Sequence, residues 1–572
     1  MRNGSLRANP IVYLAAVLVI DWTGTSATSV HAEPPAPAVE PAVKPAAKPA
    51  VAPPSRTEHL VAAAQVQSFE NAASMASQMA RRPMRPLVKS PAALAQLTYD
   101  QYMTIRYKPG RAIWQRSASP VLLETFHQGF VQQDQIDLFI QTPDGNRWIA
   151  FDPNRFDYRA LQSPDTKQLS DELAAAIESA GHAGIKLIDR FDRDDLQELI
   201  TFLGASYFRA RSRDTFYGTS ARGLAVDIAL PTEEEFPRFR TFWVRRPFPG
   251  DKTIAVTALL DSPACTGAYE FTIAPGDHRT TVDVRAEVFP RQGQQDRKFA
   301  FAPLTSMWLW GDGLRGPSLD ERPHVHDSSA LVIQASTGPP IFRPLARISY
   351  PSVSRYPVDS LVGFGLVQRN RDPDQYNDEN AKYHRRPTVL ITPAEPWRGG
   401  VIELFEIPGA HEGVDNIGAY WLPPEMPGPD ESISLRYRID FTSADADWSG
   451  QKTFPLARIA SIDIDRAATG SPTPDAITMT AHLRGDHLAN LNESKIVQQI
   501  ATVRGEVIGQ TIVRTGADAI DASVTIRPTE NAPTEITVGY QSEGQSVAET
   551  LSYLCPPTEP KFVFPAVYTR VE

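Results

Sequence analysis

Residues 252–289 read KTIAVTALLDSPACTGAYEFTIAPGDHRTTVDVRAEVF. Two parts of this run, residues 252–260 and 280–289, are rich in β-branched and apolar residues, and Pro and Gly lie between them. These parts predict β-strands, because branched side chains pack well on a pleated surface while Pro and Gly favour turns. Closely spaced strands of this kind are typical of a sandwich or a barrel. The chain is therefore predicted to be mainly β.

The same pattern extends from about residue 99 to residue 442. Further strand candidates are residues 135–141, 388–391 and 401–407, and Pro143-Asp144-Gly145 is a turn signal. Residues 195–203 are the clearest helical pattern in this region. Proline supplies 50 of the 572 residues, above the usual share of about 5%, and this excess disfavours long helices. We expect a large β-sandwich domain over residues 57–442.

Both ends of this domain have their own signals. Residues 57–80 show helical spacing and predict an N-terminal helix whose buried face carries Val66, Phe69, Ala73 and Ala76. Residues 443–451 are mostly polar and indicate a boundary. Residues 452–572 are predicted to form a smaller immunoglobulin-like β-sandwich. Its strand-like stretches are residues 476–483, 496–508, 522–526 and 535–540.

The first 56 residues predict an export signal and a spacer. Residues 1–32 combine Arg2 and Arg7 with the apolar core of residues 11–20 and small residues before a cut at residue 32, which together predict a signal peptide. An uncleaved signal anchor is the alternative, although this apolar core is too short to span a bilayer. Residues 33–54 hold eight prolines in 22 positions. Residues 33–56 are therefore predicted to be an extended Pro/Ala-rich linker.

Composition and motifs disfavour several classes of function. The net charge of −10 argues against a nucleic-acid binder, which needs a basic face. His324 and His326 share one face of a strand, where a hydrogen-bonded structural role is favoured over metal ligation. We find no metal pattern and no cofactor motif, so neither is predicted. For Cys265 and Cys555, two free buried thiols are favoured over a disulfide.

Ten short segments mix aromatic, arginine and acidic residues. They are residues 203–210, 217–224, 235–243, 259–269, 302–307, 322–328, 363–369, 385–387, 403–408 and 415–421. Sugar rings stack on Trp and Tyr, and their hydroxyls bind Asp, Glu, Arg and Asn. Such segments therefore suit a sugar cleft. The alternative is that the aromatic residues fill a large β core.

Taken together, these segments resemble the periplasmic glucan biosynthesis protein G/D family (OpgG and OpgD, also called MdoG). The match runs from about residue 99 to residue 442 and continues more weakly to the C-terminus. The resemblance implies a large β-sandwich joined to a smaller immunoglobulin-like domain. It also implies a periplasmic role in making osmoregulated glucans with a β-1,2-linked backbone. Members of the family resemble inverting β-1,2-glucan hydrolases, and some related enzymes are transglycosylases.

The resemblance also implies the two catalytic groups. An inverting glycosidase needs one carboxyl group to protonate the leaving oxygen and another to deprotonate water. The family acid lies in an Asn-Asp-Asn-Ile element that matches residues 414–417, which assigns Asp415 as general acid. The family base lies in a His-Asp-Ser element that matches residues 326–328, which assigns Asp327 as general base acting through a relay. The chain departs from the family pattern at residues 413–414 and 329–330, which leaves both hydrolysis and transfer open.

Sugar contacts are predicted for seven residues: Tyr207, Arg209, Arg222, Trp308, Arg369, Tyr376 and Trp421. Arg385 and Arg386 either join them or pair with carboxylates that brace the fold, and Glu403 and Glu406 are expected to brace it. The expected partners are a β-glucan polymer or oligosaccharide and a membrane glucan synthase, with a homodimer left open. The alternative function is a non-catalytic glucan-binding scaffold that guides nascent glucan from that synthase.

Overall fold

A computed structural model describes residues 52–189, 196–318, 320–346, 350–409, 411–428, 430–446, 456–467 and 475–556. The predicted signal peptide and nearly all of the predicted linker lie outside these residues. None of the described helices is long and apolar enough to cross a membrane.

The α-helices are short and lie mostly near the N-terminus: α1 (Arg56–Ala63), α2 (Phe69–Ala80), α3 (Ala92–Ala95), α4 (Tyr99–Thr104) and α5 (Asp171–Glu178). Single 3₁₀ turns are Pro153–Arg155, Arg159–Leu161, Pro373–Gln375, Tyr383–Arg385, Asp486–Asn490 and Glu493–Lys495. Strands hold 47% of the described residues and helices 12%, so the predicted mainly β class is confirmed.

The first seventeen described strands are β1 (Arg106–Tyr107), β2 (Val121–His127), β3 (Asp137–Thr142), β4 (Gly145–Trp148), β5 (Phe156–Asp157), β6 (His182–Asp189), β7 (Gln197–Leu203), β8 (Tyr207–Ala210), β9 (Ser220–Arg222), β10 (Leu224–Val226), β11 (Arg238–Arg245), β12 (Ile254–Asp261), β13 (Cys265–Ala274), β14 (Arg279–Pro290), β15 (Phe299–Ser306), β16 (Trp308–Trp310) and β17 (Val325–His326). The remaining described strands are β18 (Ala330–Ala335), β19 (Ile341–Pro344), β20 (Ser352–Pro357), β21 (Ser360–Val367), β22 (Thr388–Pro393), β23 (Trp397–Arg398), β24 (Val401–Glu406), β25 (Ile417–Leu422), β26 (Ile433–Thr442), β27 (Arg458–Arg466), β28 (Ile477–Arg484), β29 (Ile496–Val503), β30 (Gly505–Gly516), β31 (Ala519–Pro528), β32 (Thr534–Ser542), β33 (Gln545–Ser546) and β34 (Thr550–Cys555).

Two large sheets form the main sandwich. Sheet A has the order β2-β6-β7-β8-β9-β15-β25-β24-β20, and β10 also pairs with β15. Sheet B has the order β29-β32-β34-β19-β18-β21-β22-β26-β14-β13-β12-β11-β3-β4, and the short strands β23 and β33 also join it. Leu123, Phe202 and Leu304 of sheet A pack with Phe271 and Ile439 of sheet B in one continuous core. The large β-sandwich predicted from the sequence is therefore present.

Strand β12 shows why its sequence is almost uninterruptedly apolar. Val256 and Leu260 face the core between the two sheets. Leu259 points the other way and packs with Phe69 and Ala76 of α2, which covers the outer face of sheet B. Successive side chains of a strand point to opposite faces, so a strand that is covered on both faces carries apolar residues at every position.

The smaller sandwich shares a sheet with the larger one. Sheet C has the order β27-β28-β31-β30, and its Met479 and Ile520 pack against Ile536 and Val538 of β32 in a second core. β32 belongs to sheet B, which continues into the main sandwich through the parallel pairing of β34 with β19. The immunoglobulin-like sandwich therefore follows the large domain as predicted and is continuous with it, while the exact domain limits stay predictions.

Most strand predictions match observed strands, but two helical predictions differ. Residues 195–203 were predicted to be helical, and this is wrong, because residues 197–203 form β7 between β6 and β8. Leu199, Ile200 and Phe202 are all buried there, so pairing inside the sheet overrides the local pattern. The predicted helix over residues 57–80 is two helices, because the side chain of Ser68 accepts a hydrogen bond from the backbone N–H of Asn71 and caps a new helix.

One strand prediction differs from the structure in the C-terminal part, while the prediction for the two cysteines is confirmed. The predicted strand over residues 496–508 is divided between β29 and β30. Arg504 between them has a φ of 61°, a left-handed conformation that interrupts an extended strand. Cys265 and Cys555 are both free and buried, as predicted.

Arg369 ties the two cores together. Its two terminal nitrogens each lie 2.7 Å from a carboxylate oxygen of Glu549, and its Nε lies 3.0 Å from Asp445. It also donates to the backbone oxygen of Ile459. The Arg369 side chain is only 5% exposed and that of Glu549 only 6%, so each charge depends on the other for compensation.

We therefore predict that Arg369→Leu destabilises the fold. The buried Glu549 would lose its main partner, and we expect the free energy of unfolding to fall by about 3–5 kcal/mol. Urea denaturation followed by circular dichroism measures this change. The control is Arg438→Leu, because Arg438 pairs with Asp283 where both side chains are more than half exposed, and a change within about 1 kcal/mol is expected there. Equal losses in the two variants would contradict the bracing role.

Candidate active site

A cleft of about 600 Å³ lies on the face of sheet A that points away from the core. In β8, for example, Phe208 packs in the core while its neighbour Arg209 lines the cleft. The alternation of strand side chains thus gives the sheet one apolar face and one polar face. Lining residues used below are Glu124, Phe126, Lys186, Glu198, Arg209, Arg211, Phe216, Tyr217, Asp327, Tyr383, Arg385, Arg386, Glu412 and Asp415.

Asp327 lies directly after β17 in the cleft wall. Its backbone N–H donates to the carbonyl oxygen of Met307 at 2.8 Å. Its Oδ1 lies 3.2 Å from Nε of Arg386, and its side chain is 13% exposed. Burial raises the pKa of Asp327 to about 6, with Arg386 opposing the shift and the charge of Asp415 adding to it. The environment therefore favours a carboxyl group that changes its protonation state near neutral pH.

Asp415 lies two residues before β25. The hydroxyl of Thr305 in β15 donates to its Oδ2 at 3.0 Å, and Nη2 of Arg209 lies 3.9 Å from the same oxygen. The side chain is 20% exposed, so one edge stays open to the cleft. Arg209 is itself held by a 2.6 Å hydrogen bond from its Nε to Ser220 Oγ.

One short segment of backbone positions both aspartates. Met307 accepts the hydrogen bond of Asp327, and the neighbouring Ser306 accepts one from the backbone N–H of Asn416 at 3.0 Å. The Asn416 side chain also bonds the backbone N–H and carbonyl of Trp308 at 2.8 and 2.9 Å. The two candidate catalytic groups are therefore fixed relative to each other by residues 305–308.

Glu412 is a third carboxylate in the cleft, and the sequence analysis did not assign it a site role. It accepts hydrogen bonds from the Tyr383 hydroxyl at 2.5 Å and from Arg322 at 2.7 Å. These bonds hold the loop that leads to Asp415. Its position three residues before Asp415 was a usable signal, whereas nothing local connects Tyr383 to the site.

The predicted sugar contacts divide into two groups. Arg209 lines the cleft with both aspartates. Tyr207 and Arg209 line an adjoining cavity of about 270 Å³. Arg222 lies between the rings of Tyr207 and Phe236, at 4.8 and 5.0 Å from their centres, and 2.7 Å from Glu234.

Arg222 is 2% exposed and lines neither cavity, and the remaining four predicted contacts also lie outside both linings. Trp308, Tyr376 and Trp421 are 1%, 0% and 4% exposed, and Arg369 forms the brace described above. A sugar ring stacks only on an accessible aromatic face, and the faces of these three rings are buried in the described structure. Their assignment as sugar contacts stays a prediction.

The two glutamates expected to brace the fold do so. Glu406 is fully buried and pairs with Arg343 at 2.7 Å. Glu403 pairs with Lys298 at 2.6 Å and accepts from the Tyr420 hydroxyl at 2.9 Å. Both are occupied by structural partners and neither lines the cleft.

The chain was compared with known proteins. The family model described as periplasmic glucan biosynthesis protein, MdoG, matches residues 67–555. A relative named Glucans biosynthesis protein G from Ralstonia nicotianae is 34% identical over 502 residues, covering 86% of this chain and 97% of the relative. Relatives of the same name from Serratia proteamaculans and Pseudomonas syringae pv. tomato are 39% identical over 380 residues and 35% over 450 residues. These alignments cover 66% and 77% of this chain, and 70% and 67% of the relatives. The chain belongs to the periplasmic glucan biosynthesis protein family, MdoG.

Proposed function

We propose that the protein acts in the periplasm on the β-1,2-linked backbone of glucans, as an inverting glycoside hydrolase or a related transglycosylase. The observation that carries this proposal is the placement of Asp327 and Asp415 in the wall of one cleft, both fixed by residues 305–308. Two carboxyl groups in one cleft are the minimum that inverting hydrolysis requires.

In the proposed reaction, Asp415 begins as a carboxylic acid and donates its proton to the glycosidic oxygen as the bond from that oxygen to the anomeric carbon breaks. A water molecule forms the new bond to the anomeric carbon from the opposite face. Asp327, as a carboxylate, receives the proton that this water loses, directly or through a relay of hydroxyl groups. One water is consumed and the product has inverted configuration.

The family resemblance assigns these two roles, and a raised pKa at Asp327 fits a general base as well as a general acid. Burial raises the pKa of Asp327 to about 6, and a general base works best when its pKa lies near the working pH. Thr305 and Arg209 both approach the same oxygen of Asp415, so the other oxygen remains available to the leaving group. A sugar hydroxyl that takes the place of water at the base would give transfer in place of hydrolysis.

The periplasmic location rests on the predicted signal peptide at residues 1–32 and on the family description. A membrane glucan synthase as partner and a homodimer stay predictions.

The experiment that tests this proposal is incubation of residues 33–572 with linear β-1,2-glucan. Products are separated by chromatography and the new anomer is observed by NMR. Short oligosaccharides with inverted configuration would support hydrolysis, and cyclic or relinked chains would support transfer. If the protein binds the glucan but leaves it unchanged, the result would contradict an enzymatic function and favour the non-catalytic scaffold.

We predict that Asp415→Asn abolishes most turnover and retains glucan binding. Asparagine keeps the shape of the side chain and can still accept the hydrogen bond of Thr305, but it has no proton to donate. General acid catalysis typically contributes about 10²–10⁴-fold, and we expect a loss of that size in kcat. The control is Asp374→Asn, which changes an exposed carboxylate outside the cleft lining. Unchanged turnover in Asp415→Asn would contradict the role of Asp415 as general acid.

We also predict how the rate depends on pH. Asp327 accepts a proton only when it is deprotonated, so kcat/KM should fall as the pH drops below about 6. If Asp327 were instead the acid, the rate would fall as the pH rises above that value. Arg386 lowers the pKa of Asp327, so in Arg386→Met the inflection should move to higher pH. Initial rates of oligosaccharide release between pH 4 and pH 8 distinguish these outcomes.

A further inference from the structure

Phe216 lies in the cleft wall and is surrounded by positive charge. The guanidinium carbon of Arg211 lies 5.0 Å from the centre of its ring. The guanidinium carbon of Arg385 and the ammonium nitrogen of Lys382 each lie 4.9 Å from it. Contact with an aromatic ring holds a cation in place without using its N–H groups as donors. Lys382 and Arg385 are therefore positioned while they retain N–H groups to bind a ligand, whereas Nε and Nη2 of Arg211 already donate to Ser212, Gln197 and Arg213.

Two of the three cations lack a neutralising partner. Among the described residues, no carboxylate lies within ion-pair distance of Lys382 or Arg385. The Nε of Arg385 donates to the backbone oxygen of Asp214, while the carboxylate of Asp214 is bound by His278 and Ser443. The terminal nitrogens of Arg385 therefore remain available as donors for an anion.

The pKa of the neighbouring His384 is affected by the same positive charges. Burial lowers the pKa of His384, and the charges of Arg385, Lys382 and Arg371 lower it further. A positive potential at this wall disfavours the protonated form of the imidazole. The excess of positive charge around Phe216 therefore also extends to His384.

Two other cations of the cleft, Lys186 and Arg386, are compensated. Lys186, which lies 5.8 Å from the ring centre of Phe126, is placed between Glu124 at 3.2 Å and Glu198 at 2.7 Å. Arg386 is paired with Asp327 at 3.2 Å. Lys382 and Arg385 differ from these two paired cations, and a neutral sugar chain gives no reason for their unpaired charge.

We propose that Arg211, Lys382 and Arg385 around Phe216 form a subsite for an anionic group carried on the glucan, either a phosphate ester of a glucose unit or a half-ester of a dicarboxylic acid. This inference rests on the proposed function, because it assumes that the cleft holds glucan. Charge-assisted hydrogen bonds to such oxygens are stronger and shorter than bonds to neutral hydroxyls. The subsite would select a substituted chain and fix its register across Asp327 and Asp415.

The test compares two ligands on residues 33–572. Linear β-1,2-glucan oligosaccharides of one length are used as such and after partial esterification to monosuccinates, and Kd is measured by calorimetry in 20 mM and 300 mM NaCl. At low salt we expect the succinylated form to bind about tenfold more tightly. Because salt screens the charges, this preference should shrink at high salt.

Variants of Lys382 and Arg385 test whether the tighter binding of the succinylated oligosaccharide depends on the wall around Phe216. In Lys382→Gln the ratio of the two Kd values should move towards one, and in Lys382→Gln with Arg385→Gln it should reach about one. The Lys382 side chain has no hydrogen bond or ion pair among the described residues, so the single variant tests the site even if the double variant folds poorly. Lys186→Gln is the matched control, because it removes a compensated cation from the same cleft and should keep the preference for the ester.

Each other outcome removes a defined part of the inference. Equal affinity for both oligosaccharides overturns the subsite and leaves the proposed function intact. A preference that persists in the double variant places the anion elsewhere and also overturns the subsite. If sodium succinate alone binds as tightly as the esterified oligosaccharide, the wall around Phe216 binds a free anion. That result would contradict the proposal. Failure to bind either oligosaccharide removes the proposed function and the subsite with it.

Discussion

Residues 305–308 hold both candidate catalytic aspartates, because consecutive backbone groups of this segment bond to the two loops that carry them. The carbonyls of Ser306 and Met307 accept from Asn416 and Asp327. Buried backbone groups are expensive to leave unpaired, so neither loop moves without breaking a bond to the same segment. The spacing of the two loops therefore depends on the end of β15 and the residue that joins it to β16. Sites supported by strands are held more precisely than sites built on loops alone.

Residues 305–308 can hold the two loops firmly because β15, which ends in this segment, lies inside sheet A. It is an interior strand of sheet A, between β9 and β25, and Leu304 packs in the core while Thr305 reaches Asp415 on the other face. The period of two that buries the apolar residues also presents the polar residues to the cleft. The stability of the core and the geometry of the site thus both depend on the alternation of side chains along β15.

The sequence predicted the parts of this protein that depend on local chemistry. Strands such as β12 and β14 have enough branched and apolar residues for their identity to be visible in isolation. β7 was misread because Leu199, Ile200 and Phe202 are spaced as on a helix, and only pairing with β6 and β8 decides otherwise. The two candidate catalytic aspartates had no local signature and were assigned from the family resemblance. Burial of Trp308 depends on contacts between segments distant in sequence, which no local pattern contains.

The arginines show most clearly what only the structure can supply. Arg369, Arg385 and Arg386 all lie in aromatic and arginine-rich segments that look alike in the sequence. In the described part of the chain, Arg369 pairs with two carboxylates, Arg386 with one and Arg385 with none. A fully compensated buried charge braces the fold, because removing either partner is costly. A singly compensated charge beside Asp327 tunes a pKa, and an uncompensated charge costs the free protein stability that a bound anion would restore. These three arginines thus differ in the number of carboxylates that they pair with, and this number follows from distances that the sequence does not encode locally.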